Sequence, residues 1–214
     1  MEVISTILWD VGGVLLTNGW DRRQREAVLP RCGLGEREAA AEFERRHAEV
    51  DQAWETDRVS ADEYLRHTVF YEPRGFSPAE FLEAIQGESR VLEDSALGIL
   101  RQISASEEYV LATVNNESRA LNEFRLARFD LLEDFDAFFS SCYLGLRKPD
   151  RKIYQIALDV LQRDPEETVF IDDRAENVAA AASLGIHGIV YEGAARLTEE
   201  LARLGISLAE EISR

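Results

Sequence analysis

Short apolar runs, closed by acidic, asparagine or glycine residues, recur along most of the chain. Residues 3–9 form the first run, rich in β-branched and bulky side chains, and this pattern predicts a buried strand. The same pattern predicts later strands over residues 109–114, 137–141, 168–171 and 188–191.

Segments with helical character separate the later strands. We predict helices over residues 118–128, 150–162, 174–184 and 195–204, and a short helical turn at 164–167. Gly185 follows the third of these and fits the stop signal of a helix C-terminus. Because strands and helices alternate, the chain is predicted to form an α/β fold with a parallel sheet and right-handed crossovers.

Residues 17–87 show no convincing strand pattern. Apolar side chains between Ala41 and Trp54 recur at roughly helical spacing, and capping-box sequences begin at Ser60 and Ser77. We therefore predict a helical-bundle insert over 17–87, which interrupts a Rossmann-like parallel-sheet core made of 1–16 and 88–214.

The composition is that of a soluble globular protein, with 45% hydrophobic and 30% charged residues among 214. The formal net charge of -17 disfavours nucleic acid and anionic membranes as partners. Cys32 and Cys142 lack metal-type spacing, so we expect neither a metal site nor a structural disulfide there. The start lacks a signal-like segment and no apolar run has membrane-spanning length, which favours a cytoplasmic protein.

Acidic residues follow the ends of distant predicted strands. Asp10 comes after the first strand, and Asp172 with Asp173 comes after the strand at 168–171. In a parallel α/β sheet these strand ends meet at one edge, where ligands bind. Carboxylates brought together in this way repel each other unless a cation lies between them. The sequence thus predicts a site for a divalent, oxygen-seeking ion such as Mg²⁺.

The motifs around these acids carry a family resemblance. Residues 10–15, 114–118, 145–150 and 170–177 resemble, in order, the four motifs of the haloacid dehalogenase-like (HAD) superfamily of hydrolases. The resemblance covers nearly the whole chain and implies that the insert is a helical C1-type cap, which closes over the site and selects substrates. It also implies a Mg²⁺-dependent phosphatase that acts on a small phosphorylated metabolite.

The resemblance further implies a role for each matching residue. Asp10 would attack phosphorus and form an aspartyl-phosphate, and its other oxygen would bind Mg²⁺ together with the backbone carbonyl of Gly12. Asp173 would be a direct metal ligand, and Asp172 would act through water. Lys148 would neutralise Asp10 and the transferring phosphoryl group. From the residues alone, helix-capping acids and a surface lysine turn remain the alternatives.

Two positions depart from the family pattern. Gly12 stands where family phosphatases commonly carry a second Asp that acts as general acid and base, unless Asp21 supplies that function. Asn115 stands at the position of a phosphate-binding Ser or Thr, followed by Asn116, and both are candidate phosphate ligands. A structural Asx turn at Asn115, or a phosphate contact from Thr113, is the alternative.

The insert offers further polar residues, although a solvated helix surface is the more ordinary role for each. Those that could reach the site are Arg45, Arg46, His47, Asp57, Arg58 and His67.

Two other functions remain open at this point. A phosphate-binding or regulatory protein would explain the missing acid at Gly12 through a loss of turnover. A 2-haloacid dehalogenase would use Asp10 to attack carbon, but it needs no metal and leaves the Asp172–Asp173 pair unexplained.

Overall fold

A computed structural model describes residues 3–206 and 208 of the chain. Its centre is a five-stranded parallel sheet with the strand order β3-β2-β1-β4-β5. The strands are β1 (Thr6–Trp9), β2 (Val110–Asn115), β3 (Ala137–Ser140), β4 (Thr168–Asp172) and β5 (His187–Val190). The parallel α/β sheet predicted from the alternating pattern is thereby confirmed.

Helices pack on both faces of this sheet, and the helices between residues 22 and 86, which follow β1, form a separate group. The helices are α1 (Arg22–Arg31), α2 (Arg37–Glu55), α3 (Ala61–Thr68), α4 (Pro78–Gln86), α5 (Leu97–Ser106), α6 (Arg119–Arg128), α7 (Ser141–Leu144), α8 (Arg151–Leu161), α9 (Ala175–Ala182) and α10 (Ala194–Arg203). A 3₁₀ turn, Pro165–Glu167, precedes β4.

Alternation of side chains along β1 divides the core into two layers. Ile7 and Trp9 belong to an apolar cluster that includes Leu100 of α5 and Leu197 of α10. Leu8, between them, belongs to the opposite cluster with the apolar face of α8. Because both faces of the strand are covered, its sequence is continuously apolar rather than alternating.

Helices α1 to α4 enclose an apolar cluster of their own. Phe43, Trp54, Tyr64 and Phe81 are almost fully buried within it. Burial of each such side chain contributes about 1.5–3 kcal/mol, so this cluster gives the helical group its own core. Both predicted capping boxes are present, since Ser60 and Ser77 each cap the helix that follows. The boundaries of the insert at 16/17 and 87/88 stay a prediction.

Some predicted elements differ from the observed ones. The first strand begins at Thr6 rather than at residue 3, because Val3 lies outside the sheet and is 85% exposed. Helix α5 was not predicted, although Leu97, Leu100 and Ile103 lie on its buried face. Cys32 and Cys142 form no disulfide. Within residues 3–206 and 208, no helix is both long and apolar enough to cross a membrane.

Candidate active site

Three carboxylates meet where β1 and β4 end. Asp10 directly follows β1, Asp172 is the last residue of β4, and Asp173 comes next. Trp9 pairs in register with Ile171, so the ends of these two strands lie side by side. One oxygen from each of the three carboxylates lies within 4.8 Å of the others.

Lys148 lies between two of these acids. Its Nζ is 2.8 Å from Asp10 Oδ1 and 2.6 Å from Asp172 Oδ2, and its side chain is only 1% exposed. The backbone of Lys148 is held in turn by Asn116. The Asn116 amide donates to the Lys148 carbonyl over 2.9 Å, and the Lys148 N–H donates to Asn116 Oδ1 over 2.8 Å.

The single ammonium group of Lys148 does not balance three neighbouring carboxylates. Burial raises the pKa of Asp10, and the charges of Asp172 and Asp173 raise it further, while Lys148 opposes them. Burial also raises the pKa of Asp173, again with a contribution from Asp172. For Lys148, burial lowers the pKa, but the charges of Asp10 and Asp172 outweigh it and the pKa is raised. The site therefore has an excess of negative charge that a bound cation would relieve.

The hydrogen bonding of Asp172 and Asp173 fits a site for a hard metal ion. Asp172 is already engaged, because it accepts from Lys148, from the Arg174 N–H over 2.8 Å and from the Asn177 amide over 3.0 Å. Asp173 Oδ1, in contrast, is buried and has no hydrogen-bond partner within the part of the chain that the structure describes. A buried carboxylate oxygen that lacks a partner is costly unless a ligand satisfies it, and Mg²⁺ prefers such oxygens.

Gly13 makes room for this carboxylate. Its φ is +77°, and a Cβ at this position would lie 2.3 Å from Asp173 Oδ2. A residue with a side chain would therefore be strained and would displace Asp173. Steric contact with Asp173 therefore explains why the second residue of the Gly12–Gly13 pair, Gly13, is a glycine.

Asn115 is part of a buried polar network at the end of β2. Its amide donates to Asn122 Oδ1 over 3.1 Å, and its Oδ1 accepts from Ser140 Oγ over 2.7 Å. The side chain also lines the cavity beside Asp10, so its proposed phosphate contact stays a prediction. Thr113 Oγ1 is buried within the strand, as expected if this side chain points into the sheet.

A cavity of about 360 Å³ opens above Asp10 and Lys148. Residues of α1 and α2 form its far wall, and most of its lining is polar or charged. The residues contributed by those helices are Arg25, Glu44, His47, Ala48, Asp51 and Glu55. The core adds Arg147, Glu117, Arg125, Arg174 and Asn177 beyond the residues already described.

Of the polar insert residues considered from the sequence, His47 reaches this cavity and the others do not. Its Nδ1 is hydrogen-bonded with the Tyr64 hydroxyl over 2.8 Å. Burial, helped by the charge of Arg25, lowers the pKa of His47 to about 4, so the imidazole is neutral at neutral pH. The residues outside the cavity lining are Arg45, Arg46, Asp57, Arg58 and His67.

A buried ion pair connects the core to the segment that leads into α1. Arg125 lies 2.6 Å from Glu117 Oε2 and donates to the carbonyl of Thr17 over 2.5 Å. The Glu117 carboxylate packs against Gly19, where a Cβ would meet Oε2 at 1.9 Å. Sequence patterns gave no signal for this pair, because its members become neighbours only after the chain folds.

The position of the missing acid is open to a side chain. Among the described residues, Gly12 is a glycine without a positive φ, so its backbone conformation does not require glycine. A Cβ there would lie 2.9 Å from Asn18 Oδ1, the far end of a flexible side chain. Asn18 donates in turn to Asp21 Oδ2 over 3.2 Å, and Asp21 lines the cavity.

Comparisons with known proteins agree with this architecture. A family model described as "haloacid dehalogenase-like hydrolase" matches residues 4–185. D-ribitol-5-phosphate phosphatase of Bacteroides thetaiotaomicron is 24% identical over 93% of this chain and 97% of its own length. Other curated relatives match over only part of their length: the chain spans 7% of mouse acyl-CoA dehydrogenase family member 10 and 38% of the drimenol cyclase drtB of Aspergillus calidoustus.

Solved structures show the same fold. A HAD family enzyme from Bacteroides thetaiotaomicron superposes with a TM-score of 0.76 at 19% identity, over 90% of this chain and 95% of that one. The same enzyme in complex with magnesium and inorganic phosphate gives a TM-score of 0.73 at 20% identity, over 89% and 95% of the two chains. A HAD-like family hydrolase from Porphyromonas gingivalis gives 0.75 at 23% identity, over 96% and 100%.

Proposed function

Because the chain belongs to the haloacid dehalogenase-like hydrolase family, we propose that it is a Mg²⁺-dependent phosphatase that uses an aspartyl-phosphate intermediate. Relatives named D-ribitol-5-phosphate phosphatase and sesquiterpene phosphatase support a hydrolase that acts on phosphate esters. The observation that carries the proposal is the cluster of Asp10, Asp172 and Asp173 with Lys148 between two of them.

In this proposal Asp10 is the nucleophile. Its Oδ1 is held by Lys148 and also accepts the N–H of Val11 over 2.8 Å, which leaves Oδ2 to attack phosphorus. Lys148 stabilises the charge that develops on the phosphoryl oxygens. Asn116 acts as a positioning residue, because its two hydrogen bonds fix the backbone of Lys148.

The same cluster would hold the metal. Asp173 is the candidate for direct ligation, with Asp10 and the Gly12 carbonyl, while Asp172 would act on the metal through water. A bound Mg²⁺ would offset the negative charge of the carboxylates and of the phosphate. Asn115 remains a candidate for a phosphate contact at the edge of the cavity.

The cavity supports a small substrate. Its volume of about 360 Å³ is near the lower end of the range for small-molecule sites. The polar and charged wall formed by α1 and α2 favours a metabolite that offers hydrogen-bonding groups. In this role helices α1 to α4 would act as the cap that selects the substrate. The cytoplasmic location remains a prediction from the sequence.

A phosphate-binding protein without turnover is the second candidate, and Gly12 favours it. The loss of an acid-base group typically costs about 10²- to 10⁴-fold in rate. A dehalogenase is less well supported, because it gives no reason for three carboxylates around one lysine.

A screen of phosphate release from many phosphorylated metabolites, with and without Mg²⁺, tests the proposal. We expect Mg²⁺-dependent release from at least one small phosphate monoester, and loss of that release in Asp10→Asn. Asp159→Asn is the matched control, because Asp159 is exposed on α8 and does not line the cavity. Binding of phosphate without release from any substrate would favour the non-catalytic candidate.

A further inference from the structure

Glu55 brings a carboxylate from the far wall into the same cavity as Asp10. It is the last residue of α2, and its backbone carbonyl accepts a hydrogen bond from Ser141 Oγ over 2.7 Å. Ser141 begins α7, which directly follows β3 of the core. The end of α2 is thus fixed against the core, and Glu55 and Asp10 line one cavity.

The Glu55 side chain forms an ion pair through one oxygen, and neither of its oxygens has a hydrogen-bond partner among residues 3–206 and 208. Its Oε2 is buried and lies 2.7 Å from Nε of Arg147, which immediately precedes Lys148. The side chain keeps 27% exposure, and it lines the cavity. Oε1 accepts no hydrogen bond from any residue in the ranges 3–206 and 208. An oriented carboxyl group with one unengaged oxygen is arranged to exchange a proton with a ligand in the cavity.

The surroundings of Glu55 also suit proton exchange near neutral pH. Burial raises the pKa of this carboxyl to about 7. Arg147 and Arg174 lower it, while Glu117 and Asp51 raise it. A group with a pKa near the working pH is able to act both as an acid and as a base.

Two other candidate proton donors, Asp21 and His47, already form hydrogen bonds within the protein. Asp21 caps α1, where its Oδ1 accepts the N–H of Arg22 and its Oδ2 accepts from Asn18. His47 is neutral at neutral pH and its Nδ1 is bonded with Tyr64. Asp21 is therefore engaged at both oxygens, and the neutral imidazole of His47 is a poor proton donor to a leaving group.

We propose that Glu55 is the general acid and base of this site, and that it serves in place of the carboxylate that is absent at Gly12. The inference rests on the proposed phosphatase function and adds a catalytic residue to it. The side chain that positions Glu55 is Arg147, through the contact at 2.7 Å.

The proton moves in two balanced steps. In the first, Asp10 Oδ2 forms a bond to phosphorus, the bond from phosphorus to the ester oxygen breaks, and that oxygen takes the proton of Glu55. In the second, Glu55 takes a proton from water as the water oxygen attacks phosphorus. The bond to Asp10 then breaks, its electron pair returns to the Asp10 carboxylate, and inorganic phosphate leaves with Glu55 protonated again.

Glu55→Gln tests the assignment, because it keeps the size and polarity of the side chain but cannot titrate. On a simple alkyl phosphate we expect kcat to fall by about 10²- to 10⁴-fold, since the poor leaving group needs a proton. On p-nitrophenyl phosphate the first step needs little acid assistance. Stopped-flow absorbance should therefore show a burst of nitrophenolate that approaches the enzyme concentration, followed by slow turnover as the phosphoenzyme waits for a base.

The pH profile gives a readout that a purely structural role would not change. With an alkyl phosphate the first step limits the rate and requires protonated Glu55, so kcat should fall as the pH rises through about 7. Glu55→Gln should lose this alkaline limb, and Glu55→Asp, which keeps a titratable group, should retain it at a lower rate.

Two further variants complete the experiment. Glu49→Gln changes an exposed residue of the same helix, paired with Arg45 outside the cavity, and should behave as the unchanged protein. An unaltered pH profile and no burst in Glu55→Gln would overturn the inference while leaving the phosphatase proposal intact. So would a burst produced by Asp21→Asn instead. If the unchanged protein hydrolyses no phosphate ester, the proposed function fails, and this inference fails with it.

Discussion

Replacement of Gly13 by alanine isolates the contribution of Asp173 to metal binding. The added Cβ would lie 2.3 Å from Oδ2 and 2.4 Å from Cγ of Asp173, far inside van der Waals contact. The backbone at Gly13, with φ of +77°, leaves the new methyl group no relaxed position. Asp173 must therefore move away from its position beside Asp10 and Asp172, where its Oδ1 is buried with no hydrogen-bond partner among the described residues.

The expected size of the effect follows from this geometry. The left-handed backbone costs about 1–2 kcal/mol for a residue other than glycine. Mg²⁺ demands near-ideal octahedral geometry at about 2.0–2.1 Å, so a displaced ligand weakens it strongly. We expect about 10- to 100-fold weaker Mg²⁺ binding, comparable to the loss of a well-placed supporting group and equal to roughly 1.4–2.8 kcal/mol.

The assay is calorimetric titration with Mg²⁺, accompanied by thermal unfolding without the metal. Gly33→Ala is the matched control, because Gly33 has φ of +69° and, apart from its chain neighbours, no atom of the described residues lies within 4 Å of its Cβ position. Both variants should lose a similar amount of stability through the backbone, but only Gly13→Ala should lose Mg²⁺ affinity. Equal, unchanged Mg²⁺ affinity in both variants would refute the assignment of Asp173 as a metal ligand.

Three further predictions concern the acids of the cavity. Gly12→Asp, which displaces only the flexible end of Asn18, should restore alkyl phosphate hydrolysis in the Glu55→Gln variant by up to about 10²-fold in a steady-state assay. No rescue would contradict the proposal that Glu55 serves in place of an acid at position 12. Arg125→Met leaves the buried Glu117 carboxylate without its cation and should lower the free energy of unfolding by about 3–5 kcal/mol in urea titrations, whereas a loss below 1 kcal/mol would show that the pair is not essential. Burial raises the pKa of Glu55 from 4.5 to about 7, so the stability that its protonated form contributes is fully present below about pH 4.5 and is lost as the pH rises through about 7. Burial raises the pKa of Glu117 as well, which acts in the same direction. In the absence of metal, the melting temperature of the unchanged protein relative to that of Glu55→Gln should therefore be lower at pH 8 than at pH 6. The opposite order would contradict the raised pKa.

The sequence predicted the elements that depend on local patterns. Continuous apolar runs marked β1 and β4, because both faces of each strand are covered. The order of strands and helices then placed Asp10 and Asp172 at one edge of the sheet, and the structure brings them together with Asp173. Helix α5 was missed, although its buried leucine and isoleucine residues carried the signal.

These local sequence patterns do not predict contacts between elements that are distant in the chain. The side chain of Asn115 turns into a network with Ser140 and Asn122, which depends on how β2, β3 and α6 pack. The meeting of Glu55 with Arg147 depends on how α2 packs against the core. No local spacing predicts either contact, because each is set by tertiary packing alone.

The covalent intermediate on Asp10 is the most direct test of the account. The protein is mixed with a radiolabelled phosphate monoester and Mg²⁺, quenched in acid within one turnover, and digested to locate the label. We predict label on the peptide that contains Asp10, more of it in the Glu55→Gln variant, and none in Asp10→Asn. Turnover without any labelled peptide, or label that persists in Asp10→Asn, would contradict the aspartyl-phosphate mechanism.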